Sequence, residues 1–69
     1  TDLYVTIPLH PMTKQHSISF LAYVTADRFE LVKLYPEGEA QGRFALRGRG
    51  KHGILYAYCN HHGLFLKKL

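Results

Sequence analysis

The sequence has little cysteine and little acidic charge: one cysteine, Cys59, and five acidic residues among 69. A single cysteine excludes an intrachain disulfide. It also gives no sign of an oxidising compartment, which favours a cytoplasmic location. No apolar run approaches the ~20 residues needed to cross a bilayer, and the first residues of the sequence show no signal-peptide pattern. We therefore expect a cytoplasmic protein without a membrane partner.

The chain is also short, which limits how it can be stabilised. Its 69 residues are expected to form one domain, 1–69, and a domain of this size buries only about 60% of its unfolded surface. Such domains often need the help of a disulfide, a metal ion or a partner subunit. With a disulfide excluded, a metal ion or oligomerisation remains. The formal charge of +4 identifies no partner by itself, and a solvated basic surface is the default interpretation.

The hydrophobic pattern is typical of β-strands. Leu3, Val5 and Ile7 alternate with other residues, and no segment of helical length shows a 3.6-residue period. In the second strand Ile18, Phe20, Ala22 and Val24 recur at every other position, so they are predicted to share one face. The predicted strands are 3–7, 17–24, 29–35, 43–47, 54–59 and 64–69. They indicate an all-β fold, a small antiparallel sandwich or an open barrel.

Candidate metal ligands occur in two short segments between these strands. His10 and His16 flank residues 11–15, and Cys59 and His62 lie in a tight Cys-Asn-His-His-Gly turn. Loops at one end of a sandwich converge, so we expect the two segments to meet. Nitrogen and sulfur donors suit zinc, copper or iron, whereas calcium and magnesium prefer oxygen. A closed tetrahedral zinc site that serves only stability is one interpretation of this set.

The flanks of these residues carry a more specific signal. His-Pro-Met at 10–12, His16 followed by Ser-Ile, and Tyr-Cys-Asn-His-His-Gly-Leu-Phe at 58–65 together resemble the superoxide reductases, the desulfoferrodoxin and neelaredoxin family. The Leu-Tyr-Pro at 34–36 and Phe44 fall where that family has a Leu-x-Pro turn and a following strand. The resemblance runs from about His10 to Phe65.

The resemblance implies an immunoglobulin-like β-sandwich with one non-haem iron at one end. In the family, histidines bind the iron in a plane, a cysteine thiolate binds axially, and the sixth position is open. By position, His10, His16 and His62 would be equatorial and Cys59 axial. The implied activity is one-electron reduction of superoxide to hydrogen peroxide, with electrons from a rubredoxin-like donor. We also expect a homo-oligomer.

The chain departs from the family pattern upstream. The family has a further histidine there, in a Glu-Lys-His segment, and the nine residues before His10 do not contain it. The chain is then a fragment or processed form, another subunit supplies the histidine, or the site has four ligands. Lys14, between two of the ligands, is a candidate to attract superoxide in place of the absent lysine. With Cys59 it completes the predicted catalytic set.

The remaining chemically notable residues have simpler interpretations. His52 and His61 are expected to be exposed loop residues. Tyr56 and Tyr58 share one strand face, and packing is favoured over a stacking platform for single-stranded nucleic acid. We therefore expect no nucleic-acid partner. Catalysis by Cys59 as a nucleophile with His62 as base is disfavoured, because the spacing suits chelation and no orienting acid is evident.

Overall fold

Six β-strands form two antiparallel sheets in the computed structural model, which describes residues 2–45 and 53–69. No helix among the described residues is long and apolar enough to span a membrane. The strands are β1 (Asp2–Thr6), β2 (Ile18–Val24), β3 (Phe29–Lys33), β4 (Gln41–Ala45), β5 (Ile54–Cys59) and β6 (Gly63–Lys68). The all-β prediction is confirmed.

The two sheets differ in size. One contains β1 and β4, which pair from Asp2↔Ala45 to Thr6↔Gln41. The other has four strands in the order β3-β2-β5-β6, and each neighbouring pair is antiparallel. Since a two-stranded pair is marginally stable alone, β1 and β4 depend on packing against the larger sheet.

Predicted and observed strand ends agree closely at some positions and not at others. The strand predicted at 54–59 is observed with those bounds. The strand predicted at 29–35 ends at Lys33, because Gly38 N–H donates to the Tyr35 carbonyl and so begins a turn there. The strand predicted at 43–47 begins earlier, at Gln41. Residues 46–52 lie outside the described residues. They include the last two residues of that predicted strand, most of the predicted basic loop, and His52.

A β-bulge in β2 corrects the predicted face of that strand. The pairing passes from Ile18↔Cys59 to Phe20↔Tyr58, so Ser19 is an extra residue on the β2 side. Phe20, Ala22 and Val24 do share one face, but Ile18 belongs to the opposite one and joins Leu21 and Tyr23 in the core. The prediction that all four share a face was wrong, because a pattern of strict alternation in the sequence does not reveal a bulge.

The core lies between the two sheets. Phe44 of β4 and Leu21 of β2 are fully buried, and the Phe44 ring lies 5.8 Å from the ring of Tyr23. Cys59, 1% exposed, belongs to the same cluster. The thiol at the end of β5 is therefore anchored in the hydrophobic core.

Candidate metal centre

The β5–β6 hairpin positions Cys59 and His62. The pair Cys59↔Gly63 closes a turn of three residues, 60–62. Gly63 has a φ of 85°, a conformation that glycine adopts without the steric cost of a Cβ atom. This tight turn places His62 beside the cysteine, and the distance from Cys59 Sγ to His62 Nδ1 is 3.5 Å.

The loop between β1 and β2 carries His10 and His16. Thr13 closes the second half of this loop: its N–H donates to the His16 carbonyl at 2.9 Å, and its hydroxyl oxygen accepts from His16 N–H at 3.1 Å. Met12 attaches the loop to its surroundings, since Ile18 N–H donates to Met12 Sδ at 3.4 Å and Glu37 N–H donates to the Met12 carbonyl. The loop is thus held at the end of the sandwich where the hairpin turn lies.

The four predicted ligands converge at this end. One donor atom from each of His10, His16, Cys59 and His62 lies within 4.8 Å of all the others. The imidazole rings are steeply inclined to each other, with interplanar angles of 83° for His10–His16, 87° for His10–His62 and 67° for His16–His62. Their edges can therefore face one point, which stacked rings could not do.

Two imidazole nitrogens at this point fit a metal ion. His10 Nε2 and His16 Nε2 are buried and have no hydrogen-bond partner in the part of the chain that the structure describes. His10 Nδ1 lies 2.7 Å from the Pro11 carbonyl, and because a carbonyl only accepts, Nδ1 carries the proton. With the proton on Nδ1, the lone pair that could bind a metal is that of Nε2. Buried polar atoms without partners are costly, and a bound metal would satisfy both.

The electrostatics favour the ligand form of His16. Burial lowers the pKa of His16, and the neighbouring His61, His62 and His10 lower this pKa further when they are charged. The neutral imidazole is the form that binds metals. With a thiol and three imidazoles, the donor set matches zinc or iron and does not match the oxygen-rich sites of calcium or magnesium.

The other candidate residues lie outside the cluster. His61 is exposed as predicted; its ring stacks on His16 at 4.3 Å, and its Nε2–H donates to the Gln15 carbonyl at 2.6 Å. Lys14 is exposed in the loop between the two histidines, and its catalytic role stays a prediction.

Asn60, for which no role was predicted from the sequence, joins the two segments that carry the candidate ligands. Its only sequence signal is an Asn in a tight turn.

The chain is similar to known proteins in both sequence and fold. The family model described as Desulfoferrodoxin matches residues 2–68. The chain belongs to the desulfoferrodoxin family. It is 39% identical over 64 residues to a desulfoferrodoxin from Clostridium acetobutylicum, a match that covers 93% of this chain and 49% of that protein.

A solved relative has the same fold. The crystal structure of the superoxide reductase from Treponema pallidum superposes with a TM-score of 0.80 at 28% identity, over 97% of this chain and 56% of that one. The small antiparallel β-sandwich predicted in the sequence analysis is thereby confirmed. The chain spans about half the length of each of these two relatives.

Proposed function

We propose that this desulfoferrodoxin-family chain is a superoxide reductase-like protein that binds one iron ion through His10, His16, Cys59 and His62. The observation that carries the proposal is the convergence of these four donor atoms within 4.8 Å. A solved superoxide reductase with the same fold supports the choice of activity. The match covers 56% of that protein. The activity is therefore proposed for this chain because of the residues that this chain itself contains.

The chemistry of the bound metal would be a single electron transfer. A ferrous ion in this site would give one electron to superoxide, which takes up two protons and leaves as hydrogen peroxide, and a rubredoxin-like donor would restore the ferrous state. Cys59 would bind as the thiolate, since metal coordination deprotonates a thiol, and its buried position keeps it from solvent. The histidines would bind as neutral imidazoles.

The surroundings of the site suit an anionic substrate. His62 is exposed although Cys59 beneath it is buried, so the cluster is open on the His62 side. Lys14 is exposed on the adjoining loop, and the chain has a formal charge of +4. Positive charge beside an open site raises the rate at which a small anion arrives, and added salt weakens this effect.

The test is the yield of peroxide from an iron-loaded chain. We expect the ferrous protein, loaded anaerobically, to form one hydrogen peroxide for each superoxide consumed and to become oxidised in the same proportion. Dismutation would give one peroxide for two superoxides, with oxygen. The zinc-loaded chain is the matched control and should consume superoxide no faster than spontaneous dismutation in the same buffer. A ferrous protein that superoxide does not oxidise would contradict the proposal.

A structural zinc site is the second candidate. Three imidazoles and one thiolate are a complete ligand set for tetrahedral zinc, and a domain this small benefits from a metal. This candidate predicts stoichiometric zinc in the purified chain, and failure of the iron-loaded protein to show a thiolate absorption band. The family would then include a chain in which the metal only stabilises the fold.

We also propose that the chain forms a homodimer through the outer face of the four-stranded sheet. The exposed hydrophobic side chains of this face are Phe29, Leu31, Tyr58, Leu64 and Leu66. The pairing places them in cross-strand rows with Phe20, Ala22 and Tyr56, while Lys33 and Lys68 lie at opposite corners. Exposed apolar patches of several hundred Å² mark interaction sites.

The dimensions of this outer face suit a second copy of itself. Four strands about 4.8 Å apart and about 20 Å long give a flat footprint of roughly 400 Å² per copy. Two such sheets stacked face to face would bury about 800 Å² in total if each face is treated as flat. This area is typical of a small, reversible interface. Because both copies carry positive charge, salt should strengthen the association.

Sedimentation velocity tests the dimer. We expect the chain to dimerise reversibly, and Leu66→Glu to keep it monomeric because a carboxylate would be buried in the apolar interface. The control is Leu9→Glu, since Leu9 is 96% exposed and lies in the β1–β2 loop. A wild-type monomer at high concentration and high salt, or a Leu66→Glu dimer, would contradict the assignment.

A further inference from the structure

Asn60 connects the two segments that carry the candidate ligands. Its Oδ1 accepts a hydrogen bond from Ser17 N–H at 3.0 Å, and its Nδ2 donates to the Gln15 carbonyl at 3.1 Å. These two backbone groups belong to the residues immediately before and after His16. One side chain from the hairpin turn thus holds the backbone on both sides of a ligand in the other loop.

The long range of these contacts separates them from ordinary turn chemistry. An Asn that only stabilises its own turn bonds to backbone about two residues away. The partners of Asn60 are instead 43 and 45 residues away in sequence. His61 Nε2–H also donates to the Gln15 carbonyl, so both lone pairs of this oxygen are used by the hairpin turn.

The connection occurs where the regular pairing of β2 with β5 ends. The β2–β5 ladder ends at Ile18↔Cys59, directly beside the bulge at Ser19. Beyond that pair, Asn60 N–H donates to the Ser17 carbonyl at 3.2 Å, and the two side-chain bonds of Asn60 follow. The Thr13 bonds to His16 lie within one loop, so they shape the loop but do not set its distance from the hairpin.

We infer that Asn60 is a positioning residue for the metal centre, which holds His16 at its distance from Cys59 and His62 before the metal binds. The inference rests on the metal binding proposed above, and it is independent of the reaction with superoxide. An orienting contact behind a ligand contributes to affinity because the ligands need not be ordered when the metal binds.

Cobalt(II) binding to the full chain tests this role, because the visible bands of cobalt report the geometry of its ligands. We expect Asn60→Ala to raise the dissociation constant for cobalt by roughly 10- to 100-fold and to shift the band positions of the saturated complex. Asn60→Asp keeps the acceptor for Ser17 N–H but directs an oxygen at the Gln15 carbonyl, so it should also shift the bands. The control is Thr25→Ala, which removes the exposed hydrogen bond from Thr25 to Asp27.

The saturated spectrum distinguishes positioning from general stability. A variant that merely folds less well needs more cobalt but reaches the wild-type spectrum, and that outcome for both Asn60 variants would overturn the inference. If Asn60→Ala does not fold, Asn60→Asp alone decides in the same way. If the wild-type chain binds no cobalt and no iron, the proposed function fails, and the inference fails with it. If the wild-type chain binds cobalt and both Asn60 variants reach the same saturated spectrum, the inference fails while the proposed metal binding stands.

Discussion

Replacing Cys59 with serine is expected to abolish the thiolate-to-iron absorption band of the oxidised, iron-loaded chain. The band requires a sulfur ligand, and Cys59 is the only cysteine. Metal affinity should fall by more than the roughly 10- to 100-fold that loss of a supporting contact costs, because a ligand itself is lost. The measurement is the visible spectrum with metal analysis, before and after oxidation.

The adjoining turn provides a control for this substitution. His61 is exposed, lies in the same hairpin turn as Cys59 and is outside the donor cluster. His61→Ala should therefore keep the band, although it removes one hydrogen bond to the Gln15 carbonyl. An unchanged colour in Cys59→Ser, or loss of the band in His61→Ala alone, would show that the assigned sulfur ligand is wrong.

Replacing Phe44 with alanine is expected to cause the largest loss of stability. Phe44 is fully buried between the sheets, and truncation of a buried Phe to Ala costs about 3–5 kcal/mol. A core of this size rarely supplies more than about 3–5 kcal/mol in total. The metal-free variant should therefore be largely unfolded at 25 °C. Urea unfolding followed by circular dichroism measures the change.

A second phenylalanine serves as the matched control for Phe44. Phe29 is 65% exposed at the start of β3, so at a protein concentration where the chain is monomeric Phe29→Ala should lower the free energy of unfolding by less than about 1 kcal/mol. Saturating metal should partly restore the Phe44 variant, because a ligand that binds only the folded state stabilises it. Equal effects of the two substitutions would contradict the assignment of the core.

Much of the fold follows from local patterns in the sequence. The bounds of β5 were predicted without error, because a tyrosine-rich apolar run ends at the turn that begins with Asn60. The face of β2 was not predicted correctly. The bulge at Ser19 arises from pairing with β5 and from the hydrogen bond of its carbonyl to Leu34 N–H. Such partners are distant in sequence, so no periodicity within β2 can reveal them.

The candidate ligands were identified from residue type, spacing and resemblance, because metal chemistry restricts donors to a few side chains. The sequence could not show which nitrogen of each ring faces the centre. That depends on contacts such as the bond from His10 Nδ1 to the Pro11 carbonyl. Nor could it reveal the role of Asn60, whose partners lie on the other loop.

The sequence by itself determined the all-β class, which depends on local alternation, and it carries the motifs from which the family and the four candidate donor residues were predicted. Only the tertiary structure decided that Ile18 faces the core, that the four donors converge within 4.8 Å, and that one sheet face exposes apolar side chains in the part of the chain that the structure describes. Each of these depends on pairing between segments far apart in the chain, and a bulge or a loop closure of this kind leaves no periodic signal in the sequence.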